Sequence, residues 1–492
     1  MNMYYPNLIE FKRLAKKGNL IPITREILAD LETPVSAFKK LGRSDYNYLL
    51  ESVEGEERFA RYSFLGDSPF LIFRSRGENI EIREKEKIKR IKGKPLNVLK
   101  DLLARFKMVE VPGLPRFFGG AVGYLSYELV RFFEKLPEIN PDDLKLPDIY
   151  LIFTDTVVVF DHLKHKIKII SNAYINRESL SNSYQKAIAK IENVVAKLKS
   201  PIIPSLKSSS SKKQKISFSS NFSKSSFINK VKRAKEYIKS GDIIQVVISQ
   251  RFQTKIIVEP FDLYRALRSI NPSPYMYYLK FKDLKFVGSS PEILVRLEEG
   301  KVTIRPIAGT RPRGKDERED KSLERELIAD EKERAEHIML VDLGRNDAGR
   351  VCRYGSVKVD ELMKIERYSH VMHLVSNVSG RIKGNKDQFD LLKASFPAGT
   401  VTGAPKIRAM EIIEELESIK RGPYAGAVGY FAFSGNLDAC ITIRTLIVKG
   451  KTAYLQAGAG IVADSIPEKE YAETKNKAKA LMEAIKLAEK GL

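Results

Sequence analysis

The chain has 492 residues, 43% of them hydrophobic, enough for a large core and for more than one domain. Its two cysteines, Cys352 and Cys440, exclude a disulfide framework and a cysteine-built zinc cluster, and each reads as a small buried apolar side chain. The net charge is +23, from 85 basic and 62 acidic side chains. Such a balance would suit a nucleic-acid-binding protein. Most of the surplus, however, is lysine dispersed among acids, which favours a solvated surface rich in ion pairs and a general attraction for anions. No apolar run reaches membrane-spanning length, and the opening Met1 to Pro6 lacks the basic-then-apolar pattern of a signal peptide, so a cytoplasmic location is expected.

In chain order, Ile149 to Phe153 and Thr156 to Phe160 read as strands, and Gln185 to Leu198 as an amphipathic helix. Residues 201–226 are dominated by serine and lysine and read as a linker. Phe227 to Ser240 is again amphipathic and closes on Gly241, and Ile441 to Val448 alternates as a strand before a Lys449-Gly450 turn. The chain thus divides into residues 1–200, the linker, and a larger part, 227–492. The fold class expected is α/β of the α+β type, with mostly antiparallel sheets flanked by helices. One echo bears on how the parts meet. Gly120-Ala121-Val122-Gly123-Tyr124 recurs as Gly426-Ala427-Val428-Gly429-Tyr430, which suggests equivalent strands in one pseudo-symmetric sheet and two intimately packed parts.

Several residues have the right types for chemistry. Glu333 and Glu336 lie three apart, as do Glu470 and Glu473, a spacing that puts each pair on one helix face. Two facing pairs would make an all-oxygen site for magnesium, although such glutamates are equally at home on a solvated helix surface. The Gly/Thr loop Phe396 to Lys406 leads into a helix near Pro405 and suits a carboxylate or phosphate, while lacking the nucleotide phosphate-loop pattern. Arg444, read as part of an alternating strand, offers a cation to a carboxylate or to a neighbouring acid. His370 and His373 suit either catalysis or packing.

The ordered blocks GDIIQVVISQRF, SSPEILVR, RPIAGTRPRG, ERAEHIMLVDLGRND, HVMHLVS, FPAGTVTGAPKIRAMEII, GPYAGAVGYFAFSGNLD, ITIRTLIV, AGAGIVADS and EYAETKNKA span Phe227 to Leu487. Through them the chain resembles the chorismate-utilising enzyme family, and LLES at Leu49 to Ser52 and ARYSFLG at Ala60 to Gly66 extend the likeness into the first part. The resemblance implies magnesium held by Glu336 and Glu473, with Glu333 and Glu470 acting through water. It makes Glu292 the general acid for the departing C4 hydroxyl of chorismate and places Thr400, Tyr424, Arg444, Gly460 and Lys477 on the substrate carboxylates. His373 would assist loss of pyruvate.

Two positions choose among branches of the family. Water-adding members carry lysine where this chain has Gln245, and the aminodeoxychorismate synthases carry lysine where it has Ala308. Both residues resemble the anthranilate synthase branch, with the folate-branch enzyme as the nearest alternative and a basic nucleic-acid-binding protein as the alternative of another class. The likeness also implies a tryptophan inhibitor site built from Ser52, Pro274, Tyr275 and Met276. No glutaminase motif is present, so a separate glutamine amidotransferase subunit (component II) is implied as the ammonia source, in a heterotetramer. Absence of tryptophan from the chain suits an enzyme made when that amino acid is scarce.

Overall fold

The computed structural model describes residues 3–53, 61–176, 178–202, 216–368 and 371–492. Half of the expected linker, residues 203–215, together with Ala60 and His370, lies outside the described residues. The linker's last residues are ordered. Ser219–Ser220 pair with the strand Gln245–Lys255, and the Ser223 side chain caps a helix that begins at Lys224, three residues earlier than periodicity placed it. Serine-rich composition reads as coil, but a serine at the N-cap satisfies an otherwise unpaired helix N–H. The helix expected over 185–198 likewise runs Leu180–Lys199 from a Ser179 cap and buries Tyr184, Ala187, Ile191, Val195 and Leu198 along one stripe.

Two 12-stranded sheets form the body of the protein. The first passes edge to edge through Leu20–Leu28, Lys166–Tyr174, Thr156–Asp161, Tyr62–Asp67, Tyr46–Glu51, Tyr275–Phe281, Leu284–Ser290, Thr445–Lys449, Thr452–Ile461, Gln245–Lys255 and Ser219–Ser220, with Gly403–Ala404 as a side branch. The second passes through Ile307–Pro312, Val371–Arg381, Lys301–Ile304, Ile293–Glu298, Leu437–Ile441, Ala427–Ala432, Gly120–Leu125, Ile149–Thr154, Leu71–Arg76, Asn79–Glu84 and Lys87–Lys92, with Lys358–Arg367 as its branch. Their inner faces share an aromatic core, including a Tyr150–Phe281 stack at 4.6 Å and a Phe117–Tyr430 stack at 4.3 Å. Helices cover both outer faces: Pro95–Leu103 and Gln388–Ser395 on the second sheet, Leu180–Lys199, Pro260–Ile270, Lys406–Leu416 and Pro467–Lys490 on the first. Each sheet therefore buries one face against its twin and one under helices, which explains the near-continuous apolar runs of its central strands.

Both parts of the chain contribute to both sheets. The first sheet is joined where Tyr46–Glu51 pairs with Tyr275–Phe281, the second where Gly120–Leu125 pairs with Ala427–Ala432. The repeated glycine motif forms that second seam, with Gly123 directly opposite Gly429. A Cβ on Gly123 would come within 2.0 Å of the Tyr150 carbonyl oxygen, and one on Gly429 within 2.1 Å of the Asp438 carbonyl oxygen. The echo records matching close approaches of backbone on either side of the seam.

The alternating run 441–448 is not one strand. Leu437–Ile441 belongs to the second sheet and Thr445–Lys449 to the first, and Arg444 lies in the crossing with φ +51°. Apolar alternation continues through the crossing because both sheets face the same core. Leu284–Ser290 and Ile293–Glu298 make a second crossing, which carries Glu292. The two crossings lie side by side: Ile441 N–H donates to the Glu292 carbonyl at 3.0 Å, and Ser289 N–H donates to the Arg444 carbonyl at 3.1 Å.

Candidate active site

The paired crossings deliver Glu292 and Arg444 to one cleft. Around them, Gln245 opens the strand Gln245–Lys255, and Gly460 stands opposite Val247 on the neighbouring strand. Thr400 sits in its own short turn, Gly399–Val401, while the helix after the loop begins only at Lys406. The helix starts where the sequence indicated, with Pro405 as its N-cap. Before it the chain inserts Gly403–Ala404 as a strand against Gln245–Val246, so the helix N-terminus is not at Thr400. Helix Glu331–Gly349 carries Glu333 and Glu336, and helix Pro467–Lys490 carries Glu470, Glu473 and Lys477.

Direct contacts join most of these residues. Gln245 Nε2 donates to Glu336 Oε1 at 3.1 Å, and a Cβ on Gly460 would come within 2.6 Å of the same nitrogen. Lys477 Nζ pairs with Glu473 at 2.6 Å and donates to the Gly458 carbonyl at 3.1 Å. Arg444 Nη1 donates to the Lys477 carbonyl at 2.7 Å. The Tyr424 hydroxyl lies over the bare face of Gly458, where a Cβ would be 2.8 Å away. His373 sits on Val371–Arg381 with Nδ1 2.9 Å from the Gly309 carbonyl and 3.1 Å from Thr310 Oγ1. A carbonyl only accepts, so Nδ1 carries the proton and Nε2 presents a lone pair.

The electrostatics separate the acids by role. Burial pushes the Glu292 carboxyl up to about 8. It is therefore protonated at neutral pH. Burial lowers His373, as does the nearby Arg444 guanidinium, so its imidazole stays neutral. Glu333 is raised by burial and by the charges of Glu336 and Asp330, and Glu470 by burial and by Glu473. Two buried oxygens here have no hydrogen-bond partner, Gln245 Oε1 and Thr400 Oγ1. An orphaned buried acceptor is costly and marks a place for a ligand or water.

The glutamate pairs lie on two helices whose starts approach each other, since Lys332 on one is near enough to lower Glu470 on the other. Among the described residues, no three histidine, cysteine, aspartate or glutamate side chains converge closely enough to hold a metal ion. The donor chemistry nonetheless fits magnesium. The donors are all carboxylate oxygens, and the burial and mutual repulsion that raise Glu333 and Glu470 are what a divalent cation would offset.

A second cavity lies between the two seams. Ser52, Pro274, Tyr275 and Met276 all line it, with Arg116, Tyr430 and Cys440 among their neighbours. Met276 stands opposite Glu51 across the first seam. Tyr275 donates its hydroxyl to Asp438 at 2.8 Å and accepts from Arg296 Nη2 at 3.0 Å. Both cysteines are buried, as expected, and burial pushes each thiol up.

Sequence reasoning missed Arg421 and Glu417, an ion pair only 2% and 5% exposed beneath the cleft. In Lys420-Arg421-Gly422-Pro423 the arginine reads as a surface cation before a turn, and no local pattern reveals its burial. It also missed His337, which is buried beside Glu336 and bonded through Nε2 to Ser376 Oγ at 2.6 Å.

Residues 46–483 match the model of the chorismate binding enzyme family, and the chain belongs to that family. It is 53% identical to anthranilate synthase component 1 of Acetivibrio thermocellus, with 99% of each chain covered, and 51% identical to that of Aquifex aeolicus, with 98% of each covered. Among solved structures, anthranilate synthase component I of Streptococcus pneumoniae superposes with a TM-score of 0.77 at 39% identity, covering 92% of this chain and 98% of that one. The menaquinone-specific isochorismate synthase of Escherichia coli, at 20% identity and a TM-score of 0.69 over 97% of this chain and 98% of that one, shares the fold.

Proposed function

We propose that the chain is the chorismate-using component of anthranilate synthase, which aminates chorismate and expels pyruvate to give anthranilate. The observation that carries the mechanism is Glu292, a buried acid protonated at neutral pH within a cleft lined by cations. Hydroxide is a poor leaving group, so the C4 hydroxyl needs a proton donor that water cannot level, and Glu292 supplies it. Arg444 and Lys477 answer the two carboxylates of the substrate, with Thr400, Tyr424 and the bare backbone at Gly460 completing the cradle. The orphan oxygen of Gln245 accepts from ammonia and aims it at the ring. Lysine there could activate water, whereas glutamine cannot, and ammonia needs little activation. His373, proton on Nδ1, offers Nε2 as the base for loss of pyruvate. Glu336 and Glu473, with Glu333 and Glu470 acting through water, would hold magnesium, which would supply positive charge to the ring carboxylate.

The second cavity is the tryptophan inhibitor site in this reading. Its position supports regulation, because it touches both seams between the two parts of the chain, so a bound amino acid would bias how they close. Arg116 Nε lines it without an acceptor, a place for a carboxylate. Ammonia comes from a glutamine amidotransferase subunit, component II, within a cytoplasmic heterotetramer. None of the described helices is long and apolar enough to cross a membrane.

The test is purified chain with chorismate, ammonium and magnesium, with product identified by mass. Anthranilate that vanishes with chelator and falls with added tryptophan is expected. A product that keeps its enolpyruvyl group would move the chain to the folate branch. No turnover at all would overturn the enzymatic reading.

A further inference from the structure

The guanidinium of Arg421 is buried beneath the cleft and touches three of the segments that line it. Nε and Nη2 donate to the two oxygens of Glu417 at 3.0 and 2.6 Å. Nη1 donates to the Val401 carbonyl at 2.6 Å, and Nη2 donates also to the Val247 carbonyl at 2.7 Å. Its carbon lies 5.0 Å from the Tyr127 ring centroid and 5.6 Å from that of Tyr424. Glu417 is fixed in turn by the N–H and hydroxyl of Ser249, at 2.9 and 2.8 Å.

The contacts fall where substrate is read. Val401 follows Thr400. Val247 is two residues from Gln245 and directly opposite Gly460. Tyr424 is itself a lining residue. A buried ion pair is a poor device for stability, since apolar side chains of similar volume usually do as well or better. What an arginine adds is a rigid planar fork that fixes several acceptors in one geometry, which a lysine cannot do from a single nitrogen.

We propose that Arg421 is a positioning residue for chorismate: its fork sets the spacing between the Thr400 turn, the Gln245–Gly460 strand pair and the Tyr424 ring, and so shapes the carboxylate cradle without touching the substrate. The inference rests on the chorismate reading above and extends it to a residue outside the cleft.

Arg421→Lys keeps the charge and removes the fork. Steady-state kinetics of this variant, varying chorismate and ammonium separately, give the test alongside thermal unfolding. The expected result is a chorismate KM raised at least tenfold with the ammonium KM close to the parent's, alongside a lower melting midpoint from the carbonyls left without a donor. Glu417→Gln, which keeps the shape of the pair and weakens its grip, shifts the chorismate KM the same way by a smaller factor and decides the matter if Arg421→Lys does not fold. A chorismate KM within twofold of the parent in the folded variant, or both KM values rising together, overturns the proposal. A parent chain that makes no anthranilate from chorismate instead removes the reading beneath it, a failure visible before any variant is made.

Discussion

The cleft and the seam cavity use similar residues to opposite ends. In the cleft, carboxylates crowd one another, one buried acid keeps its proton, and two acceptor oxygens have no partner. In the seam cavity, the central carboxylate, Asp438, is held by Tyr275 at 2.8 Å, by Arg296 at 3.0 Å and by Arg116 at 3.6 Å. A site that leaves acids frustrated is prepared to exchange protons and take a cation, whereas one whose acid is held and whose spare group is a donor, Arg116 Nε, can bind an anion and release it without chemistry. Where charge is left unsettled distinguishes the two more clearly than their shapes.

Substitutions in the two places should therefore behave differently. The largest effect belongs to Glu292→Gln, which keeps the shape and removes the acid: kcat should fall roughly a hundred- to ten-thousand-fold in an anthranilate fluorescence assay. A loss below tenfold would remove Glu292 from the proton step. The parent's pH profile gives a second view of the same group. Its folded carboxyl titrates near 8, above the usual range, so the active protonated form is present at neutral pH and is lost as pH rises through 8. An alkaline limb in kcat/KM near that value is expected. The same sign holds for stability. The buried acid favours the fold fully below the ordinary carboxylate range and loses that contribution as pH climbs to about 8, so the melting midpoint of Glu292→Gln should gain on the parent's across that window.

Next in size is Tyr275→Phe, which deletes one hydroxyl from the seam cavity and nothing from the cleft. The hydroxyl holds Asp438 and Arg296 in place, so its loss frees both charges in the cavity, and tryptophan inhibition should weaken about tenfold while kcat stays within twofold. Unchanged inhibition would show that the cavity does not read the inhibitor. The smallest expected effect is that of Gly460→Ala, whose methyl would press on Gln245 Nε2 at 2.6 Å. The ammonium KM should rise about fivefold, equivalent to about 1 kcal/mol of overpacking. A rise in the chorismate KM alone would place Gly460 on the carboxylate side only.

The sequence by itself determined a good deal. Periodicity placed two helices to within a few residues and the glycine echo foretold the second seam; these are local properties, written in spacing along the chain. The candidate residues of cleft and cavity came instead from the family resemblance. Tertiary structure alone decided how they meet. The run through Arg444 alternates like one strand because both sheets want apolar residues on the shared core, and only the folded chain shows that it changes sheets there. The raised acid of Glu292 is likewise a product of burial, which no neighbour in sequence supplies. Arg421, charged and next to a turn, looks like surface until the pieces that cover it, from Tyr127 to Tyr424, are brought together across some 300 residues of chain.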